Sequence, residues 1–383
     1  MGHQDIFQRA SFAHVCGDSI IAAIAGLALY ASFPPVGWWW LSVPALALYL
    51  SRIDEARAPR ALTVTFVFGM SLWVPLIDWI PLAVGSTPPW FVLSFVQTLF
   101  LMAWVLFARW TQLWAWARGP LMQAALFALT WAGIDAARSR WPWSGFPWGS
   151  VALPQVDSPL GRLAPYGGTT LITAVVVFLA VLVRRAFAAR DAAGVAEHWF
   201  SRPAMALIVA AAYVAPLAIS LPNQAENGML RVGVVQGDIA LPGAEAYSRE
   251  GEVTDNNMRA SLELASSPQV VERPIDVAIW GEGSVDRDPI AFPAIGQAVD
   301  RAATALDAPI LIGYTNLNER DHVKNWLGVW EPGKGMDEAT RYSKHVPVPF
   351  GEFIPFRDII ASFATEVAQA SKDMEAGEEP PLM

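Results

Sequence analysis

Apolar residues in the first 222 positions gather into long stretches separated by short polar or arginine-containing segments. We place these stretches at about 19–34, 36–51, 61–82, 90–108, 119–137, 168–183 and 203–221. A helix needs about 20 mainly apolar residues to cross the hydrocarbon core of a bilayer. The pattern therefore predicts a membrane α-helical bundle of about seven spans, although the first two stretches are short enough to form one helical hairpin around residues 33–40.

After residue 222 the pattern changes to short apolar runs that alternate with amphipathic segments. Strand-like runs lie at 230–238, 275–284, 308–316 and 324–332, and helix-compatible segments lie at 247–265 and 291–306. Strands that alternate with helices are typical of a layered α/β domain. We therefore divide the chain into a multi-span membrane domain, residues 1–222, and an α/β domain, residues 223–383.

Composition agrees with this division and excludes several kinds of site. The chain is 54% hydrophobic and 16% charged, whereas an ordinary soluble protein carries about 25% charged residues. The second domain holds 26 of the 35 acidic residues, which argues against nucleic-acid binding. One cysteine, Cys16, and five scattered histidines exclude a disulfide framework and a multi-cysteine metal site. We expect no metal.

Arginine is unevenly distributed between the two sets of loops that join the predicted spans. Only Arg138, Arg140 and Arg162 lie on one side. The other side carries Arg9, Arg52, Arg57, Arg60, Arg109, Arg118, Arg184, Arg185, Arg190 and Arg202. Because basic residues accumulate in cytoplasmic loops, the N-terminus is predicted to be cytoplasmic and everything after about residue 222 extracytoplasmic.

The predicted outer loop, residues 139–168, is rich in Trp, Pro and Gly and contains Trp143, Phe146 and Trp148. Tryptophan is favoured at the boundary between membrane and water. The loop is therefore either a plain interfacial anchor or the lipid-facing lip of an active site. Composition does not separate these two interpretations.

Two places in the second domain carry candidate catalytic groups. Glu282 directly follows a strand-like run and stands between two glycines, and α/β folds place reactive groups at strand ends. Residues 341–356, RYSKHVPVPFGEFIPF, contain Lys344 and Glu352 among three prolines. Proline excludes a helix interior and a central strand, so this segment is predicted to be a stiff loop. Taken alone, a glutamate such as Glu282 is more often a solvated turn residue than a catalytic one.

Five motifs together carry a resemblance to a known family. They are GFPW (145–148), VGVVQGDI (232–239), AIWGEGS (278–284), IGYTN (312–316) and RYSKHVPVPFGEFIPFR (341–357). In combination they resemble the nitrilase, or carbon–nitrogen hydrolase, superfamily and, within it, the apolipoprotein N-acyltransferases of the bacterial inner membrane. The resemblance implies an αββα-sandwich for the second domain.

The resemblance also assigns roles to the candidate residues. Glu282 matches the general base that activates a cysteine thiol, Lys344 matches the cation that stabilises the oxyanion, and Glu352 matches a second glutamate beside them. Gly281 stands where the family usually has proline, and it is followed by Gly283 and Ser284. This departure affects the local turn and leaves the glutamate in place.

The implied reaction moves an acyl chain from a phospholipid, through an enzyme thioester, to the α-amine of a diacylglyceryl-cysteine on a lipoprotein. It needs no cofactor, and the implied enzyme is a monomer in the bacterial inner membrane. The family's nucleophilic cysteine lies several tens of residues after the lysine, where this sequence has none. We interpret the second domain as truncated before it and the chain as inactive by itself. The alternatives are an amidase of the same superfamily and a membrane homologue that has lost catalysis.

Overall fold

In the computed structural model the chain forms two compact units, which are described separately here. The first comprises Met1–Pro81 and Gly85–Asn223, and the second comprises Leu82–Val84 and Gln224–Met383. The residues that the structure describes are 2–54, 56–117, 119–188, 202–221, 228–238, 251–317, 322–357 and 373–378.

The described part of the first unit is helical. Its α-helices are α1 (Gly2–Tyr30), α2 (Ser42–Ile53), α3 (Ala58–Leu76), α4 (Ile80–Val84), α5 (Pro88–Thr111), α6 (Pro120–Arg138), α7 (Ala164–Ala188) and α8 (Arg202–Val214). Every predicted apolar stretch overlaps one of the longer helices. The prediction of an apolar helical region at the start of the chain is thereby confirmed.

Helix length limits which of these elements can cross a bilayer. Among the residues that the structure describes, three helical segments are long and apolar enough to do so: Ala58–Leu76, Pro88–Thr111 and Pro159–Phe187. Helix α2 has 12 residues and is about 18 Å long, which is shorter than a hydrocarbon core of about 30 Å. The exact number of seven spans therefore stays a prediction.

Helices α1 and α3 approach each other closely at Gly26. A Cβ atom at this position would lie 2.5 Å from the Phe68 carbonyl oxygen and 3.2 Å from the Leu72 amide nitrogen. Helices that associate within a membrane often use small residues for such close approach. Gly17, which lies nine residues earlier on α1, has no atom within 4 Å of the same imaginary Cβ.

Arg138 corrects one step of the sequence analysis. We counted it among the loop arginines, but it is the last residue of α6 and only 4% exposed. Its guanidinium donates to Asp135 Oδ1 at 2.6 and 2.9 Å and to Gln97 Oε1 at 3.2 Å. The carboxylate one turn earlier on the same helix compensates the charge, so Arg138 serves packing rather than loop topology.

The second unit is built on one mixed sheet. Its strands are β1 (Val232–Val235), β2 (Val277–Trp280), β3 (Ile310–Leu317), β4 (Val323–Glu331), β5 (Gly335–Met336) and β6 (Tyr342–Ser343). The strand order is β1-β2-β3-β4-β5, and β6 also pairs with β4. Strands β1, β2 and β3 are parallel, whereas β4 is antiparallel to β3. The four predicted strands are present; β5 and β6 were missed because two residues leave no periodic pattern.

Helices α9 (Glu252–Ala265), α10 (Pro268–Glu272) and α11 (Pro293–Leu306) complete the described part of this unit. Residues 247–250 of the predicted first helix lie outside the described residues. Buried side chains of α9 and α11 share one core with inward-facing residues of the sheet, among them Trp280 and Ile310. On the opposite face Val234 is 76% exposed. The described residues therefore form a helix layer on one face of a mixed sheet, and the αββα-sandwich stays a prediction.

The close approach at Gly26 predicts how two glycines of the same helix respond to substitution. Gly26→Ala forces a methyl group against α3 and should cost about 1–3 kcal/mol, the usual range for overpacking. Gly17→Ala meets open space and gains helix propensity, so it should be neutral or slightly stabilising. Thermal unfolding of the two variants in the same detergent compares them, and equal shifts in Tm would contradict the packing described here.

Candidate active site

The turn after β2 holds Glu282 at the carboxyl end of this inner strand. Gly313 of β3 anchors this turn, because its N–H donates to Ser284 Oγ at 3.3 Å and its carbonyl accepts from Val285 N at 3.0 Å. Gly283 has a φ of 66°, a left-handed conformation that glycine adopts without steric cost. The glycine-rich sequence around Glu282 thus fits the turn that the chain makes.

Gly313 is a positioning residue that the sequence analysis did not single out. A Cβ atom there would lie 2.9 Å from Glu282 Cα and 3.0 Å from the Gly281 carbonyl oxygen. Only glycine lets β3 lie this close to the turn. The available signal was a glycine inside an apolar strand, which often marks a close backbone approach.

The short strand β6 brings Lys344 to the same place. Ser343 pairs with Trp326 of β4, and the next residue, Lys344, donates its backbone N–H to the Asn325 carbonyl at 2.9 Å. Downstream, the Glu352 N–H donates to the Val348 carbonyl at 2.8 Å and closes the loop. The predicted stiff loop therefore begins directly after a two-residue strand.

The Lys344 ammonium lies between two carboxylates. Its Nζ donates to Glu282 Oε1 at 2.8 Å and to Glu352 Oε1 at 2.8 Å. Asn325 Nδ2 also donates to Glu282 Oε1, at 2.5 Å. The structure thus brings together all three predicted catalytic residues and adds Asn325, which no sequence motif indicated.

The two carboxylates differ in exposure and in their partners. The Glu282 side chain is 61% exposed, whereas that of Glu352 is 18% exposed. Both Glu352 oxygens are engaged, since Oε2 accepts from Val348 N at 2.7 Å. Among the described residues, Oε2 of Glu282 has no hydrogen-bond partner. Glu282 therefore keeps one open carboxylate oxygen, whereas the contacts of Glu352 hold the loop to the lysine.

The protonation state of Lys344 follows from these contacts. Burial lowers the pKa of the amine, but the hydrogen bonds to Glu282 and Glu352 outweigh burial, and the pKa is raised above its ordinary value. Lys344 is therefore a fixed ammonium throughout the neutral pH range. A fixed cation of this kind can stabilise negative charge that develops on a substrate oxygen.

Residues 373–378 fix the backbone beneath the cluster. Gly377 N donates to the Lys344 carbonyl at 2.7 Å, and Met374 N donates to the Glu352 carbonyl at 2.8 Å. The segment therefore connects the lysine to the loop glutamate through main-chain hydrogen bonds. The sequence analysis gave this segment no role in positioning them.

Asp373 ties the same segment to the end of the loop. Its carboxylate accepts from Arg357 Nη2 at 2.5 Å and from Ile354 N at 3.0 Å. The Arg357 guanidinium, together with this backbone N–H, outweighs burial and holds the pKa of Asp373 below its ordinary value. The loop that carries Glu352 is thus braced at both ends.

The candidate lip residues Trp143, Phe146 and Trp148 belong to the first unit. Arg138 Nη1 donates to the carbonyls of Phe146 and Trp148, each at 2.8 Å, and so holds the loop against α6. Trp143 and Trp148 are exposed, whereas Phe146 is half-buried against the helical core. Cys16 is also in this unit, exposed on α1.

The arrangement in the second unit suits acid–base and oxyanion chemistry. The described residues contain no group of three His, Cys, Asp or Glu side chains placed to bind a metal ion. The cluster offers one carboxylate with an open oxygen, one ammonium and two groups that orient them.

Comparison with known proteins identifies the relatives of the chain. Residues 25–182 match the family described as the apolipoprotein N-acyltransferase N-terminal domain. The proteins named apolipoprotein N-acyltransferase from Mycolicibacterium smegmatis, Photobacterium profundum and Vibrio parahaemolyticus are 32%, 26% and 25% identical over 89%, 91% and 90% of this chain.

The chain is similar to the apolipoprotein N-acyltransferases. This part of the resemblance drawn from its motifs is thereby confirmed, and the wider nitrilase superfamily stays a prediction. The chain covers 59%, 66% and 67% of the lengths of these three N-acyltransferases. A match over about nine-tenths of the chain is long enough to extend from the first unit into the second.

The raised pKa of Lys344 predicts its reactivity towards amine reagents. In this N-acyltransferase relative, Glu352→Gln removes one negative partner, so the pKa of Lys344 should fall and its free-amine fraction at a given alkaline pH should rise. Reductive methylation followed by quantitative mass spectrometry measures the labelling of Lys344, with the labelling of Lys334 as an internal reference. Lys334 is exposed and pairs with Glu331, so its labelling should stay constant. Unchanged or slower labelling of Lys344 would contradict the assigned contacts.

Proposed function

We propose that this chain carries the acid–base machinery of an apolipoprotein N-acyltransferase. The observation that carries the proposal is the Lys344 ammonium between Glu282 and Glu352 at the end of β2. Similarity to named N-acyltransferases over about nine-tenths of the chain supports the same reaction class. The proposed acyl donor is a phospholipid, and the proposed acceptor is the diacylglyceryl-cysteine of a lipoprotein.

In the first half-reaction, Glu282 takes the proton of a cysteine thiol. The thiolate attacks the ester carbonyl of the phospholipid, and Lys344 stabilises the oxyanion of the tetrahedral intermediate. The C–O bond then breaks, the departing alkoxide takes the proton back from Glu282, and a lysophospholipid leaves. A thioester remains on the enzyme.

In the second half-reaction, the α-amine of the lipoprotein cysteine attacks the thioester carbonyl. Lys344 again stabilises the oxyanion, and Glu282 accepts a proton from the attacking nitrogen. The C–S bond breaks, the amide is released, and the thiolate regains its proton. Each proton that Glu282 accepts is returned within its half-reaction, so no cofactor is consumed.

The nucleophile of this mechanism is a cysteine. Residues 1–383 hold one cysteine, Cys16, which is part of α1 in the first unit. We therefore propose that residues 1–383 by themselves form no acyl-thioester.

The membrane location is part of the same proposal. The apolar helices and the relatives fit a multi-pass protein of the bacterial inner membrane that acts as a monomer. The arginine asymmetry supports a cytoplasmic N-terminus and an extracytoplasmic second unit. Trp143, Phe146 and Trp148 are proposed to face lipid, and their anchoring by Arg138 suits a loop of constant shape.

One specific observation favours a second candidate function. The sequence holds no cysteine after Cys16, as expected of a membrane homologue that has lost catalysis. The intact contacts of Lys344 with both glutamates oppose it, because a site released from catalysis has no need to keep two charged partners around one ammonium. An amidase of the same superfamily fits the site equally but not the apolar helices.

The role of Glu282 predicts the outcome of a matched pair of substitutions. The pair is made in the polypeptide extended along its own reading frame to the first downstream cysteine. Glu282→Gln keeps the shape but removes the base, so formation of a hydroxylamine-sensitive acyl adduct from labelled phospholipid should fall at least about 100-fold, since general bases contribute about 100- to 10,000-fold. Glu263→Gln on the exposed face of α9 should leave it unchanged.

Far-UV circular dichroism verifies that both variants fold. Full adduct formation by folded Glu282→Gln would show that Glu282 is not the general base. A reading frame without a downstream cysteine would favour the non-catalytic homologue instead.

The proposed orientation predicts the behaviour of reporter fusions. Alkaline phosphatase, which is active only outside the cytoplasm, should be active when fused after residue 230 and inactive when fused at residue 190. A reporter that is active only in the cytoplasm should give the reverse pattern. Activity of alkaline phosphatase at residue 190 alone would overturn the orientation.

A further inference from the structure

Five arginines converge at one end of the helical unit. Arg52 is at the end of α2, Arg60 near the start of α3, Arg109 near the end of α5, and Arg184 and Arg185 near the end of α7. The contacts described below join these helix ends to each other. We refer to the five side chains as the arginine cluster.

Asp18 of α1 holds two members of the cluster. Arg60 Nε donates to Asp18 Oδ2 at 2.6 Å, and Arg52 Nη1 lies 3.8 Å from Asp18 Oδ1. The side chains of Arg52 and Arg60 remain 36% and 37% exposed. Both guanidinium groups can therefore reach a ligand at the surface while keeping their contact with Asp18.

The other three members have fewer carboxylate partners. Arg184 pairs with Asp54, just after α2. Arg109 Nη1 donates to the Ile53 carbonyl at 3.2 Å, and Arg185 donates to the neutral Gln123 side chain of α6. In the described part of the chain, neither Arg109 nor Arg185 forms an ion pair with a carboxylate, and Asp54 acts on Arg185 only at longer range.

The cluster carries more positive charge than its partners neutralise. Within the described residues, five guanidinium groups share two carboxylates, those of Asp18 and Asp54. The Nε atoms of Arg184 and Arg185 are buried without a hydrogen-bond partner. Partly buried cations without counter-charges are unfavourable, so this end of the bundle is suited to an anion from outside the protein.

Tryptophans next to the cluster mark the level of the membrane surface. Trp110 directly follows Arg109, and the Trp110, Trp114 and Trp116 rings pack in succession with centroid distances of 4.9 and 5.3 Å. Trp110 and Trp116 are exposed. Because tryptophan is enriched where hydrocarbon meets head groups, these rings indicate that this end of the unit suits the head-group region of a bilayer.

We infer that the arginine cluster binds the phosphate head group of an anionic phospholipid. Basic pockets between helix ends on the cytoplasmic side are suited to such head groups, and guanidinium groups bind phosphate oxygens through paired, charge-assisted hydrogen bonds. The lipid bound here is distinct from the acyl donor of the proposed reaction, and its binding does not require catalysis. It rests on the membrane location within the proposed function.

The test uses the full chain in detergent micelles, titrated with phosphatidylglycerol or phosphatidylcholine and analysed by native mass spectrometry. The wild-type chain should retain phosphatidylglycerol preferentially, and this preference should weaken as ionic strength rises. The double variant Arg52→Gln/Arg185→Gln should weaken phosphatidylglycerol binding by about fivefold for each arginine removed. The double substitution leaves no carboxylate without a cationic partner, because Asp18 still pairs with Arg60 and the partner of Arg185, Gln123, is neutral.

Two control variants keep the outcome specific. Arg52→Lys/Arg185→Lys preserves the charge and should retain most of the preference. Arg140→Gln removes an exposed arginine beyond the far end of α6 and should change nothing. If the Gln double variant does not fold, the inference is tested on the wild-type chain by its salt dependence and by its preference for phosphatidylglycerol over phosphatidylcholine.

Several results would overturn the inference. Equal retention of phosphatidylglycerol and phosphatidylcholine by the wild-type chain is one, and an undiminished preference in the folded Gln double variant is another. Displacement of the lipid by millimolar inorganic phosphate would assign the cluster to a soluble anion instead. Acyl-transfer activity is not measured, so failure here is distinguishable from failure of the proposed reaction.

Discussion

The second unit depends on one ammonium group held between two carboxylates. Lys344 bridges Glu282, which follows β2, and Glu352, which belongs to the loop after β6. An isolated ion pair at a protein surface contributes little, about 0–1 kcal/mol. Here the lysine has two charged partners and is three-quarters buried, so the same contacts keep it protonated and keep its position constant. Chemistry that relies on a fixed cation requires both properties.

The main chain around the cluster determines where these three side chains lie. Gly313 allows β3 to approach the turn that carries Glu282, and the pairing of β6 with β4 sets Lys344 beside Asn325. Residues 373–378 then bond to the backbone of both Lys344 and Glu352. Because the ordering is carried by backbone hydrogen bonds, the side chains themselves remain available: Glu282 keeps one carboxylate oxygen open.

The helical unit manages polar groups within an apolar bundle in a different way. Arg138 is buried, and its hydrogen bonds to Asp135, to Gln97 and to the loop carbonyls of Phe146 and Trp148 all lie within the unit. The arginines at the ends of α2, α5 and α7 are less fully matched. An arginine that is fully paired stabilises a loop, whereas a group of arginines with too few carboxylates is suited to an external anion.

Local features of the sequence determined much of the architecture. Periodicity and apolar run length located the helices of the first unit and the four longer strands, and the motif around Lys344 indicated the relatives of the chain. The candidate catalytic residues were also readable, because a lysine and a glutamate stand out on a proline-rich loop. These properties depend on neighbours within a few residues, which the sequence displays directly.

Only the tertiary structure decided which residues support the site. Asn325 lies 43 residues from Glu282 along the chain, and Lys344 lies 62 residues from it, so no local pattern connects them. Arg138 was taken for a loop residue because the sequence does not show that Asp135 and Gln97 surround it. The arginine cluster likewise draws on helices separated by long stretches of chain. Strand pairing and helix packing create these contacts between residues that are far apart in the sequence, so no local pattern displays them.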